Sequence, residues 1–234
     1  MLVLLRSALF NAFFFGFTAL IAVLAVPLLL LPPAALRHTS RLWARGVLGG
    51  LRLLAGVRLR IEGAEYMPRD GAALLASKHQ SAFDTIAWLA LLPRPAYVLK
   101  AELLRIPLYG WHARHMGMIG VDRAGGAQAM RGMMRAARDA AARGAQIIIF
   151  PEGTRVPPGA RRPLQPGVVA LGAATGLPVI PVATNSGRHW GRRAFRKHPG
   201  EIVIRLLPPL PAGLPREALL SRLDAAIEDG QRGL

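Results

Sequence analysis

The stretch AALLASKHQSAFDTIAWLALL, residues 72–92, passes from one apolar run through a polar cluster into a second apolar run. Residues 72–76 form a short, wholly apolar run, which is typical of a buried strand. Residues 85–92 predict a helix that ends before Pro93. The polar cluster of residues 77–84 therefore lies at a strand-to-helix junction, where α/β folds present reactive groups to a ligand.

Two residues of this cluster, His79 and Asp84, are separated by five positions. On one helix they would point roughly 140° apart, but they can meet if His79 lies in the turn and Asp84 in the first helical turn. A carboxylate that holds an imidazole produces a good general base, because it fixes the tautomer and stabilises the imidazolium. A structural role is also open at this point, with Ser81 as the helix N-cap and Asp84 at the third helical position.

Length, charge and cysteine content limit the classes of protein to which this chain can belong. The 234 residues can form one globular domain and an appendage. The net charge of +17 favours an anionic partner, which could be lipid headgroups, nucleic acid or a phosphorylated substrate. The absence of cysteine excludes disulfides, thiolate metal sites and a cysteine nucleophile. The histidines show no ligand spacing with carboxylates, so no metal site is predicted.

The N-terminal region is apolar enough to enter a membrane. No charged residue occurs between Arg6 and Arg37, and residues 7–31 are almost wholly apolar. Crossing a hydrocarbon core takes about 20 residues, whereas the apolar region of a signal peptide usually has about 15 at most. Pro27 and the Pro32–Pro33 pair could instead divide the segment into a re-entrant or interfacial pair of helices.

We therefore expect two parts, a membrane-associated helical segment at residues 1–45 and an α/β domain at residues 46–234. More arginines follow the apolar run than precede it, which favours a domain on the cytoplasmic face of the membrane, the inner membrane if the protein is bacterial.

The remainder of the chain alternates predicted strands with predicted helices. Strands are expected at residues 57–61, 72–76, 96–99, 117–123, 146–150, 179–183 and 202–207, and helices at 85–92, 128–143, 168–175 and 216–227. This alternation predicts an α/β fold with a largely parallel sheet flanked by helices. A loop at residues 187–200 interleaves five basic residues with Trp190 and Phe195. It would suit a membrane interface, single-stranded nucleic acid or an ordinary basic surface.

Four stretches occur in an order that resembles the motif blocks of the glycerolipid acyltransferases. They are His79 with Asp84, residues 117–123, the hexapeptide FPEGTR at residues 150–155, and LPVIPV at residues 177–182. The closest similarity is to the 1-acyl-sn-glycerol-3-phosphate acyltransferase family. The sequence departs from the family at Lys78, where Asn is frequent, and at Gly120, where a bulky apolar residue is usual.

The resemblance implies transfer of an acyl group from a thioester, acyl-CoA or acyl carrier protein, to the free sn-2 hydroxyl of lysophosphatidate, which gives phosphatidate. No cofactor is implied, and the hydroxyl would attack the thioester without an acyl-enzyme. His79 would be the general base and Asp84 would orient it. Arg123 and Arg155 would hold the substrate phosphate through bidentate guanidinium contacts. The full set that the resemblance assigns to substrate binding is Lys100, Arg123, Glu152, Gly153, Thr154 and Arg155.

Two other functions remain compatible with the sequence. The first is acyl transfer to a different lysolipid, such as a lyso-aminolipid or a lysophospholipid in remodelling. The second is a membrane-anchored basic module that binds anionic lipid or nucleic acid without catalysis. The second leaves the four ordered blocks unexplained, so the expected partners are anionic membrane lipid, lysophosphatidate and an acyl donor, and nucleic acid is not expected.

Overall fold

The computed structural model describes residues 1–122 and 125–234. Its strands are β1 (Val57–Glu62), β2 (Ala73–Ser77), β3 (Pro95–Lys100), β4 (Ile119–Val121), β5 (Gln146–Ile149), β6 (Val179–Thr184) and β7 (Gly200–Leu206). They form one sheet in the order β1-β7-β6-β2-β5-β3-β4. Neighbours are parallel except β6 and β7, which are antiparallel, so β7 and β1 run opposite to the other five. The predicted largely parallel α/β fold is confirmed.

Helices precede and connect these strands. They are α1 (Leu2–Leu24), α2 (Pro33–Gly50), α3 (Phe83–Leu91), α4 (Tyr109–His115), α5 (Gly126–Ala142), α6 (Gly167–Thr175), α7 (Ser186–His189) and α8 (Arg216–Gly230). Short turns of 3₁₀ helix occur at Val26–Leu30, Ala64–Tyr66 and Ala101–Arg105, and a π-helical turn follows α2 at Leu51–Ala55. The loop expected at residues 187–200 thus begins inside α7.

The sheet separates two apolar layers. Adjacent residues of a strand point to opposite faces, so Leu75 packs with α1, α2 and α3 while Leu74 packs with α5, α6 and α8. Both side chains are fully buried. Central strands covered on both faces read as continuous apolar runs, which explains why residues 72–76 and 146–150 were recognisable from sequence.

The N-terminal segment forms a pair of antiparallel helices. A 3₁₀ turn containing Pro27 separates α1 from α2. Phe13 and Phe17 of α1 occupy the space beside Gly50 and Gly46 of α2, where an added Cβ would lie 2.2 Å and 2.8 Å from the two rings. The predicted boundary after residue 45 falls inside α2, which continues to Gly50.

The residue 187–200 segment packs against α1 and holds it on the domain. Trp190 is buried edge-on against Phe10 and Phe14, at centroid distances of 5.3 Å and 5.4 Å. Lys197 is also buried, and its Nζ donates to the side-chain oxygen of Asn11 at 2.9 Å. The indole of this segment is therefore a packing group and not a surface group.

One side of α1 remains uncovered. This helix is long and apolar enough to cross a membrane by length and composition, and few of its residues are buried. Its large exposed apolar side chains are Leu2, Leu4, Leu5, Leu9, Phe15, Leu20, Val23 and Leu24. At about 100° per residue, all of them except Leu4 and Phe15 lie within an arc of about 100°, which forms one helical stripe. A contiguous apolar surface of this kind marks a membrane or protein contact.

Candidate active site

The candidate site is built around the turn that joins β2 to α3. The strand ends at Ser77 and the helix begins at Phe83, so His79 lies in the turn and Asp84 in the first turn of α3. His79 Nδ1 lies 3.0 Å from Asp84 Oδ2. The side chains are 12% and 3% exposed, respectively, so the pair is largely shielded from water while the ring retains an open edge.

Asp84 serves the turn as well as the histidine. Its Oδ2 accepts the main-chain N–H groups of Gln80 at 2.7 Å and Ser81 at 2.8 Å. The Ser81 hydroxyl in turn accepts the N–H of Phe83 at 3.1 Å. The capping role and the contact with His79 therefore coexist, because the same carboxylate oxygen accepts all three groups. The helix begins at Phe83, two residues before the predicted start at residue 85, and Ala82 rather than Ser81 is at the N-cap position.

His79 is held from its other sides by the segment that follows β5. The Phe150 ring stacks on the imidazole at a centroid distance of 4.0 Å and an interplanar angle of 18°. Glu152 Oε2 accepts the His79 N–H at 3.2 Å, and the Val156 N–H donates to the His79 carbonyl at 2.7 Å. These contacts arise because β5 is the neighbour of β2, so the chain leaves both strands at the same edge of the sheet.

The geometry defines the protonation of the imidazole. A carboxylate accepts only, so the proton at the contact with Asp84 lies on Nδ1. Nε2 then carries the lone pair, and among the described residues none hydrogen-bonds to it. His79 is therefore arranged to take a proton from a group that approaches this open edge.

Glu152 and Lys78 form a buried ionic pair behind the histidine. Their side chains are 2% and 3% exposed, and Glu152 Oε1 lies 3.9 Å from Lys78 Nζ. Lys78 Nζ also donates to Glu228 of α8 at 2.5 Å. Burial raises the pKa of Glu152 to about 7, and the charge of Lys78 opposes that rise. This depth favours support of the His79 main chain over direct contact between Glu152 and substrate.

The remaining residues of the FPEGTR segment form the turn beside His79. Gly153 has φ of +71°, a conformation that favours glycine, and its N–H donates to the Phe150 carbonyl at 2.9 Å. Thr154 and Arg155 are half-buried. Within the described ranges, Arg155 has no carboxylate within 4.0 Å, which leaves its guanidinium available to an anionic ligand.

Of the other two predicted binding residues, Lys100 and Arg123, only Lys100 lies within the described structure. Lys100 lies at the carboxyl end of β3, on the same sheet edge as His79 and two strands away, and its Nζ is 3.4 Å from the Glu102 carboxylate. Arg123 lies outside the described residues. The structure thus brings His79, Asp84 and residues 152–155 together and places Lys100 on the same edge.

Gly120, the departure noted in the second motif block, has a local explanation. The Leu104 side chain fills the space beside it, and a Cβ at Gly120 would lie 2.6 Å from Leu104 Cδ1. Leu104 thus occupies the volume that a larger residue at position 120 would need. In residues 1–122 and 125–234, no cluster of three or more His, Asp and Glu side chains is arranged to hold a metal ion.

Sequence reasoning missed three parts of this site. The Phe150 stack and the Val156 N–H contact depend on the pairing of β2 with β5, which no local pattern encodes. Lys78 was noted only as a departure from the family, although its place next to His79 at the end of a strand implies that it points to the opposite face.

The known proteins that this chain resembles are acyltransferases. A family model described as Acyltransferase matches residues 58–185. A Pseudomonas aeruginosa 1-acyl-sn-glycerol-3-phosphate acyltransferase is 34% identical over 76% of this chain and 69% of its own length. The human 1-acyl-sn-glycerol-3-phosphate acyltransferase alpha is 28% identical over 86% of this chain and 71% of its own.

A solved structure shares the whole architecture. It is the 1-acyl-sn-glycerophosphate (LPA) acyltransferase PlsC from Thermotoga maritima, with a TM-score of 0.78. The similarity covers 97% of this chain and 95% of that one, at 22% sequence identity. The likeness therefore extends through the N-terminal helices as well as the α/β body.

Proposed function

Because this chain belongs to the acyltransferase family, in the group of 1-acyl-sn-glycerol-3-phosphate acyltransferases, we propose that it acylates lysophosphatidate at the sn-2 hydroxyl to give phosphatidate. The acyl group comes from a thioester, acyl-CoA or acyl carrier protein. The observation that carries the proposal is the His79–Asp84 pair with an open Nε2, fixed by the FPEGTR segment.

The proposed reaction is a direct transfer. Nε2 of His79 takes the proton of the lysophosphatidate hydroxyl as its oxygen attacks the thioester carbonyl. The tetrahedral intermediate then collapses with loss of the thiolate, and the imidazolium returns its proton to that sulfur. Asp84 stabilises the transient positive charge on His79 and keeps the ring in its productive orientation.

Arg155 is the proposed first contact of the substrate phosphate. It follows directly on the segment that clamps His79, and it is not engaged by a carboxylate within the described part of the chain. We assign Arg123 and Lys100 to the same phosphate on the basis of the second motif block and of the sheet edge, respectively. Gly153 and Thr154 shape the turn that presents Arg155. Guanidinium groups suit this task because two parallel N–H donors match two phosphate oxygens.

The exposed stripe of α1 is the proposed membrane contact. From Arg6 to Thr18 this helix contacts α2 and the turn after it. Arg6 Nε donates to the Leu54 carbonyl at 2.9 Å, and Trp43 Nε1 donates to Thr18 Oγ1 at 3.1 Å. A helix held in this way places its apolar stripe in the bilayer and keeps the domain at the surface. We propose the cytoplasmic face, because basic residues follow the apolar segment.

The test is a transfer assay with purified protein in lipid vesicles. Lysophosphatidate, a lyso-aminolipid and a lysophospholipid with a larger headgroup are supplied in parallel with acyl-CoA or acyl carrier protein thioester. Formation of phosphatidate above the other products is expected. Transfer only to another lysolipid would retain the mechanism and replace the substrate. No transfer to any acceptor, with vesicle binding intact, would favour a non-catalytic lipid-binding module.

Replacement of Arg155 by alanine is expected to raise the KM for lysophosphatidate by roughly 10- to 100-fold with a smaller change in kcat. A charge-assisted hydrogen bond contributes about 1.5–3 kcal/mol, and each 1.4 kcal/mol is tenfold in affinity. The measurement is steady-state kinetics at saturating acyl donor. Arg162→Ala, an exposed arginine seven positions away, is the control and should leave KM unchanged. An unchanged KM in Arg155→Ala would remove this residue from the phosphate site.

A further inference from the structure

A basic cavity lies at the opposite end of the parallel strands from His79. It has a volume of about 650 Å³ and is lined by the start of α2, the start of β3, Met116 and Gly117, and the end of α5 with its following turn. His79 follows the carboxyl end of β2, whereas this cavity adjoins the amino ends of β3 and β5. Because these strands are parallel, the cavity and the His79 site are separated by the length of the strands.

Three arginines line the cavity, and none of its lining residues within 1–122 and 125–234 is acidic. Arg37 comes from α2, Arg94 from the residue before β3, and Arg143 from the end of α5. Within residues 1–122 and 125–234, none of the three has a carboxylate within 4.0 Å. Burial and then the neighbouring charge of Arg94 lower the pKa of Arg37. Arg94 thus repels Arg37, and no carboxylate of the described residues lies within 4.0 Å of either guanidinium.

Arg94 and Arg41 hydrogen-bond to main-chain carbonyls around the cavity, whereas the side chains of Arg37 and Arg143 do not. Arg94 Nη1 donates to the Arg143 carbonyl at 2.8 Å, and Arg41 Nη2 donates to the carbonyls of Leu92 and Pro93 at 2.9 Å and 3.0 Å. These bonds close the C-terminal ends of α5 and α3. The guanidinium groups of Arg37 and Arg143, in contrast, make no hydrogen bond to any residue in the described part of the chain.

We propose that this cavity is a second, non-catalytic binding site for a phosphate group, held between Arg37 and Arg143 with Arg94 beside them. Guanidinium forks bind phosphate oxygens in a bidentate way, and an anion here would offset the repulsion between Arg37 and Arg94. The volume is in the range of small-molecule sites.

The surroundings of the cavity favour a phospholipid headgroup as the carrier of that phosphate. Pro33 lines the cavity, and the two preceding leucines of the turn, Leu30 and Leu31, are 90% and 49% exposed. A lipid could therefore place its phosphate among the arginines and its acyl chains along the apolar turn. Bound in this way, it would join α2 to β3 and α5 and so fix the N-terminal helices on the α/β body.

The test compares two variants that remove the same charge. Arg37→Gln/Arg143→Gln empties the cavity of its free cations, and Arg131→Gln/Arg138→Gln removes two exposed cations from the outer face of α5. Binding to phosphatidylcholine vesicles with and without phosphatidylglycerol is measured by flotation. In a second arm, the midpoint of thermal unfolding in neutral detergent is measured with inorganic phosphate and with chloride at equal ionic strength.

The expected result is a loss of affinity for the phosphatidylglycerol vesicles that is about tenfold greater in the cavity variant than in the control variant. A phosphate-specific rise in the unfolding midpoint that only the cavity variant loses, with equal vesicle binding, would identify free phosphate as the ligand of the same site. Equal behaviour of the two variants in both arms would overturn the proposal. Neither arm depends on acyl transfer, so the outcome is separate from that of the proposed activity.

Discussion

Replacement of His79 by alanine is expected to lower the rate of phosphatidate formation by roughly a thousandfold or more, with little change in the KM for lysophosphatidate. A positioned general base contributes about 10²–10⁴ in rate. The measurement is kcat with purified protein in vesicles at saturating substrates.

The control for that result is His198→Ala, which removes an exposed histidine from the residue 187–200 segment. It should retain the activity of the parent. Asp84→Asn provides a second comparison, because it preserves shape and an acceptor oxygen for the Gln80 and Ser81 N–H groups. It removes the charge that orients His79, and we expect a loss of about a hundredfold or more. Activity within tenfold of the parent in His79→Ala, with the fold intact, would exclude His79 as the base.

Replacement of Lys78 by methionine is expected to cost about 3 kcal/mol of unfolding free energy, because breaking a buried ion pair leaves an uncompensated charge. The lysine lies between Glu152 and Glu228, at 3.9 Å and 2.5 Å. Lys100→Met is the matched control, since it removes a lysine from an exposed pair with Glu102. Exposed pairs contribute about 1 kcal/mol at most, so the control should be nearly neutral.

The Lys78 variant should also become more sensitive to alkali. The pKa of Glu152 is about 7 in the folded protein, above its ordinary value, and the charge of Lys78 holds it from rising further. Without that charge the folded state keeps its proton to higher pH while the unfolded state has already lost it. The deficit relative to the parent should therefore widen above pH 7, by up to about 1.4 kcal/mol per pH unit.

Denaturant unfolding across pH 5–9 would measure both parts of this prediction. Adding Glu152→Gln to the Lys78 variant should abolish the widening, because the amide does not titrate but still accepts the His79 N–H. A deficit that is constant across the range in both backgrounds would show that Glu152 is not coupled to Lys78.

The local parts of the structure were predictable, and the reason is visible in the residues. His79 and Asp84 are five positions apart, so a turn followed by a helix is sufficient to join them. The buried strands β2 and β5 were recognisable because both faces are covered. The contacts of Phe150 and Glu152 with His79 span more than 70 positions and depend on the order of strands in the sheet.

Two features could not be obtained from sequence patterns. The alternation of residues 57–61 predicts a half-exposed strand in either direction, so the reversed orientation of β1 and β7 was not foreseen. The boundary after residue 45 stays a prediction, but the extent of α2 was not foreseen. The helix α2 continues past residue 45, because its buried face extends through Ala44 and Val47 to Gly50.

The contacts between α1 and the residue 187–200 segment can form only late in synthesis, after most of the domain has been made. The Ser7 hydroxyl accepts the N–H of Lys197, a residue 190 positions later. At about 5–20 residues per second, a ribosome needs roughly 10–40 s to make the intervening chain. Throughout that interval the side of α1 that carries Ser7, Phe10 and Asn11 lacks the contacts that the residue 187–200 segment later provides. We therefore expect lipid or a chaperone to cover the apolar surface of α1 before the residue 187–200 segment packs against it.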